Sequence, residues 1–98
     1  MKLIRRTDIF AIWLKQLRDR AAAARIEIRI KRLAMGNSGD GRNLKKGVSE
    51  LKVDFGPGYR VYFTERSGEI VILLCGGDKK SQEKDIAHAY ALVDQLEE

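Results

Sequence analysis

The chain is poor in the residues that build covalent or metal-held scaffolds. Among its 98 residues there is one cysteine, Cys75, so no internal disulfide can form. One cysteine and one histidine, His88, cannot make a structural metal site, and neither a metal nor a cofactor is expected. No purely apolar run exceeds six residues, as in IVILLC (70–75), far short of the roughly 20 needed to cross a membrane. The opening MKLIRRTDIF has basic residues with no apolar segment directly behind them, so no signal peptide is expected. There is no internal repeat and no low-complexity tail. These absences point to a cytoplasmic protein without a membrane partner.

What is present suits one small domain spanning residues 1–98. Hydrophobic residues make up 44% of the chain, enough for a core. The net charge of +5 is unevenly spread. Residues 1–49 hold 13 Lys and Arg against 4 Asp and Glu, and residues 50–98 hold 6 against 10. A basic half joined to an acidic half suits an anionic partner, with nucleic acid first and an acidic protein second.

Residues 2–5 can form a strand. Thr7 or Asp8 can cap a helix in which Ile9, Ile12, Trp13, Leu14 and Leu17 recur at helical spacing. Trp13 on that helix reads as core. Asp19 marks a break, and RAAAARIEIRIKRLAMG follows. Its IEIRI alternates like a strand, but four alanines and the length of the run favour helix. Ile26, Ile30 and Leu33 then form a buried stripe with Arg25, Arg29 and Arg32 as a basic stripe beside it, and Gly36 ends the helix. Residues 36–47 read as a polar, Gly-rich loop. SELKVDF (49–55) and YRVYFTE (59–65) alternate as strands, and EIVILLC (69–75) reads as a central strand covered on both faces. RSGE (66–69) is a hairpin turn, and GGD (76–78) ends the sheet. A last helix begins near Ser81, with Ile86, Ala89, Tyr90, Val93 and Leu96 on one face. The order is β-α-α-β-β-β-α, an α+β fold.

GPGYRVYF (56–63) puts an arginine inside a strand, where a buried unpaired charge would be prohibitive. If Phe55 pairs with Tyr59 across Gly-Pro-Gly, then Leu51, Val53 and Phe55 share the core face with Tyr59, Val61 and Phe63. The opposite face then carries Glu50 beside Thr64, Lys52 beside Tyr62 and Asp54 beside Arg60. On the pattern alone, Arg60 and Asp54 form a cross-strand ion pair on an exposed face.

SELKVDFGPGYRVYF followed by ILLCGGDKKSQEKDIAHA resembles the RelE/ParE superfamily of toxins from type II toxin-antitoxin systems, closest to its HigB-like, addiction module killer branch. The resemblance covers nearly the whole chain. It implies a twisted, mainly antiparallel sheet with the helical hairpin on one face and a C-terminal helix, and a cognate helix-turn-helix antitoxin as partner. RelE-like members cut mRNA in the ribosomal A site, whereas ParE-like members poison DNA gyrase, and one fold serves both. The resemblance therefore implies a ribosome-dependent endoribonuclease, with a gyrase inhibitor or an inactive antitoxin-binding homologue as alternatives.

Ribonuclease chemistry of this kind is attack of a 2′-hydroxyl on the adjacent phosphate, and it needs no metal. It needs a cation at the phosphate and acid and base groups beside it. The family's strand arginine maps onto Arg60, as a bidentate clamp on the phosphate. Lys52 is placed to stabilise the same charge, Glu50 to act as general base, and Tyr62 to donate a proton or stack on a base. Family ribonucleases commonly carry a Tyr or His after the last strand, but here the stretch reads CGGDKKSQEK. Lys79 is the candidate there, ahead of His88, which lies within the last helix. The ribonuclease reading expects Arg60, Lys52 and Lys79 to converge on one open face. Arg25, Arg29, Arg32, Lys45, Lys46 and Lys80 are candidates for nucleic-acid phosphates. Cys75 reads as a small apolar residue and Gly76-Gly77 as no dinucleotide motif.

Overall fold

The computed structural model describes residues 1–39 and 41–96. Strand β1 (Leu3–Arg6) leads into α1 (Asp8–Gln16) and α2 (Arg20–Ala34). Then come β2 (Gly41–Asn43), β3 (Val48–Val53), β4 (Tyr59–Arg66), β5 (Ile70–Asp78) and α3 (Gln82–Leu96). The strands form one sheet in the order β1-β5-β4-β3-β2. β1 runs parallel to β5, and every other neighbouring pair is antiparallel.

Local chemistry sets the helix boundaries. The Thr7 hydroxyl accepts from the Phe10 amide at 3.0 Å, capping α1, and donates to the Leu74 carbonyl at 2.6 Å, tying the helix start to β5. Asp19 accepts from the Ala22 amide at 3.1 Å, so the residue that breaks the first helix starts the second. IEIRI is helical inside α2, whose Ile26, Ile30 and Leu33 are buried as expected.

The sheet divides two cores. On one face, Phe10 and Leu14 of α1 and Ile26, Ile30 and Leu33 of α2 pack on Leu51, Val53, Val61, Phe63, Val71 and Leu73. On the other, Ala89, Leu92 and Val93 of α3 pack on Val48, Tyr62, Leu74 and Cys75. Burying each large apolar side chain stabilises by roughly 1.5–3 kcal/mol. Burial pushes the Cys75 thiol up to about 12, keeping it protonated and apolar in character.

Three local readings change. Part of the 36–47 loop is strand, because Gly41–Asn43 pairs with Ser49–Leu51 as the sheet edge. β5 continues through Gly76, Gly77 and Asp78 instead of ending before them. The β3–β4 register is displaced: Val53 opposes Tyr59, Lys52 opposes Arg60 and Glu50 opposes Tyr62. The connection is the five residues 54–58, in which the Gly58 amide bonds the Phe55 carbonyl at 3.1 Å. Gly56 and Gly58 have φ of +57° and +80°, so the turn takes conformations open to glycine. The shift is two residues, so each side chain keeps its expected face and only its partner changes.

Candidate functional site

The face opposite the helical hairpin carries Glu50 and Lys52 of β3 and Arg60 and Tyr62 of β4. It is not an exposed polar face. Arg60 is 6% exposed and Glu50 is 4% exposed, because α3 and β2 close over them. Arg60 does not pair with Asp54, which is solvent-exposed and lines a separate groove. Its ion-pair partner is Glu50, with Nε 3.9 Å from Oε2, and its Nη1 donates to the Gly58 carbonyl at 2.7 Å. Among the described residues, Arg60 Nε has no hydrogen-bond acceptor. A buried donor left without an acceptor is costly, and Arg29 Nη2 and the Tyr62 hydroxyl share that condition.

Glu50 is the hub. Its Oε1 accepts from Arg42 Nε at 2.8 Å and its Oε2 from Gln82 Nε2 at 2.8 Å. Burial alone would push this carboxyl up, but the bonds from Arg42 and Gln82 and the Arg42 charge outweigh it and hold the group below the ordinary carboxylate value of 4.5. A depressed folded-state value stabilises the fold above the unfolded value, and that contribution is lost as pH falls below it. The melting-temperature gap between the natural protein and Glu50→Gln is therefore expected to be largest near neutral pH and to narrow below pH 4.5. Thermal melts across that range check this, and a gap that widens on acidification contradicts it.

Arg60, Lys52 and Glu50 line one cavity of about 240 Å³ together with Gly41, Arg42 and Gln82. Lys79 does not line it, so the expected convergence of Arg60, Lys52 and Lys79 holds only for the first two. A methyl group on Gly58 would lie 3.1 Å from Arg60 Nη1 and 3.6 Å from Lys79 Cβ, and Lys79 shares a second cleft with Gln82 and Lys80. Tyr62 is fully buried in the core beneath the cavity, so it cannot stack on a base. Burial and the neighbouring Glu50 charge push its phenol far up, so it stays protonated. His88 is exposed and is not among the cavity's lining residues.

The remaining basic candidates lie elsewhere. Arg25, Arg29 and Arg32 line a groove of about 300 Å³ on the α2 side, with Ile28, Val53, Asp54 and Phe55. There the Arg25 guanidinium sits 4.3 Å from the Phe55 ring centre, and Arg29 Nη1 donates to the Lys52 carbonyl at 2.8 Å. The strand edge at Lys52 thus separates this groove from the cavity, with the side chain on one side and the carbonyl on the other. Lys45 and Lys46 sit by the C-terminal half of α3, where Lys46 pairs with Asp94 at 3.0 Å.

Sequence reasoning misses two lining residues, Arg42 and Gln82. Arg42 sits in a stretch too short and Gly-rich to read as strand, and Gln82 reads as an ordinary first-turn residue. Only the pairing of β2 with β3 and the angle of α3 bring them to Glu50.

Residues 13–95 match the family described as Phage derived protein Gp49-like. The chain is 48% identical over 93 residues to an uncharacterized protein of Haemophilus influenzae, covering 95% of this chain and 94% of that one. Its fold matches that of the E. coli toxin RelE, solved as an arginine-to-alanine double mutant in the free state. The TM-score is 0.71 at 9% sequence identity, over 99% of this chain and 98% of the other. The chain belongs to the phage-derived Gp49-like family.

Proposed function

We infer that the chain is the toxin of a type II toxin-antitoxin module and that it arrests translation by cutting mRNA on the ribosome. The observation that carries this is the one cavity in which Arg60, Lys52 and Arg42 gather around Glu50, with an Arg60 donor that lacks an acceptor among the described residues. A phosphodiester fits that deficit: its non-bridging oxygens can take the Arg60 fork while Lys52 balances the charge that grows in the transition state. Glu50 removes the proton from the 2′-hydroxyl, whose oxygen bonds to phosphorus as the bond to the 5′-oxygen breaks. Lys79, from the adjoining cleft that shares Gln82 with the cavity, returns a proton to that oxygen. Every charge in this scheme comes from a side chain, so the step needs no metal. Arg25, Arg29 and Arg32 hold flanking phosphates of the strand or of ribosomal RNA. The partner protein is a cognate helix-turn-helix antitoxin, as in the HigB-like branch.

Induced expression in a bacterial host without antitoxin tests the reading, with primer extension on a translated mRNA. Growth arrest with discrete cuts in translated message is the expected result. Arrest with intact message and broken DNA would move the assignment to gyrase inhibition, and no arrest would leave an antitoxin-binding homologue.

A further inference from the structure

Two arginines share Glu50, and they differ in freedom. Arg60 is 6% exposed and its Nη1 is bonded to the Gly58 carbonyl, so it is held on two counts. Arg42 lies on β2, three residues at the sheet edge, and its side chain is 59% exposed. Its side chain is anchored by the bond from Nε to Glu50 at 2.8 Å. Glu50 itself is faced from every packed element: Arg42 from β2, Lys52 from its own strand, Arg60 and Tyr62 from β4, and Gln82 from α3, with Asp85 of α3 close enough to act on the Tyr62 phenol. A carboxylate held by one arginine and an amide, with a second arginine behind it, occupies the place that an anionic ligand would take.

Glu50 tied to Arg42 is a poor base, because the bond that neutralises it also stabilises its ionised form. A phosphodiester entering the cavity offers Arg42 a second anion, and an exposed arginine can exchange one for the other at little cost. Once Arg42 leaves, Glu50 keeps its burial but loses a main partner, so its affinity for a proton rises as the 2′-hydroxyl needs one removed. We propose that Arg42 is a catalytic residue that trades Glu50 for the scissile phosphate, so that substrate arrival converts Glu50 from an ion-pair partner into a general base. This rests on the ribonuclease reading of the cavity. It also makes the free toxin a resting state, with its base neutralised until RNA is in place.

Cleavage of mRNA on purified ribosomes with an empty A site tests the exchange. Rates are followed against pH at limiting and at saturating ribosome complex, for the natural protein, Arg42→Gln and Arg42→Lys, with thermal melts as a folding control. Limiting conditions report the base in the free toxin and saturating conditions report it in the complex. For the natural protein, the acid limb at saturation is expected to lie at higher pH than the limb at limiting complex. For Arg42→Gln the two limbs should coincide, with the saturating rate reduced roughly tenfold or more, as for loss of one charged phosphate contact. Arg42→Lys should restore the separation in part. Coincident limbs in the natural protein, or a separation that survives in Arg42→Gln, would overturn the exchange and leave the ribonuclease reading intact. No cleavage by the natural protein would overturn both.

Discussion

On the proposed ribonuclease reading, Arg60→Ala is expected to lower cleavage of ribosome-bound mRNA by at least about 100-fold, the scale on which a preorganised charge at a developing oxyanion acts. Alanine alone would confuse two effects. Arg60 is a buried partner of Glu50, and breaking a buried pair can cost about 3–5 kcal/mol when the survivor is left alone. Glu50 is not left alone, because Arg42 and Gln82 each donate to it at 2.8 Å, so the folding cost should fall well below that range. Arg60→Lys separates the roles further. Lysine keeps the charge beside Glu50 but has no planar fork, so it should fold and still cleave poorly. The measurements are a thermal melt and primer extension on the same preparations. A folded Arg60→Lys protein that cuts at the natural rate would remove the bidentate clamp from the mechanism.

Much of this arrangement was legible before the structure, and the parts that were not share a physical cause. Side-chain alternation is a local property, so it gave the correct face for Glu50, Lys52, Arg60 and Tyr62 even with the wrong register. Which residue opposes which depends on the turn, and Phe55-Gly56-Pro57-Gly58 closes a longer connection than its Gly-Pro-Gly suggests. That two-residue difference replaced Asp54 with Glu50 as the partner of Arg60. The burial of Arg60 was also not local, since α3 and the edge strand β2 cover the face. Nothing in the composition of the last helix says which strand residues its first turn will meet. Likewise the continuous apolar run of β5 hides an irregularity: Tyr62 opposes Cys75 but Phe63 opposes Leu73, so Leu74 is an extra residue. Leu74 and Cys75 both turn toward α3, and the alternation that follows is inverted.

That inversion makes Gly76→Ala the substitution expected to harm folding most. Beyond the extra residue, Gly76 faces the helical hairpin and Gly77 faces α3. A methyl group on Gly76 would overlap the Trp13 indole, with ring carbons Cε3 and Cη2 at 2.5 and 2.7 Å. The indole has little room to retreat, since its centroid lies 5.7 Å from the Phe10 ring and 6.3 Å from the Tyr59 ring. Overpacking of this kind costs about 1–3 kcal/mol, and a contact this close with the ring pinned belongs at the upper end. For a chain of this size that lowers the melting temperature by roughly 10–20 °C. The cause can be isolated with a cycle: in a Trp13→Leu background, Gly76→Ala should cost much less, because the group it meets is gone. A Gly76→Ala protein melting within a few degrees of the natural one would show that the indole is not held against the strand. Gly77 opposes Arg60 in the ladder, and a methyl group there would overlap Asp85 Oδ2 on α3. Only a strand stripped of side chains on both faces can pass between Trp13 and Asp85.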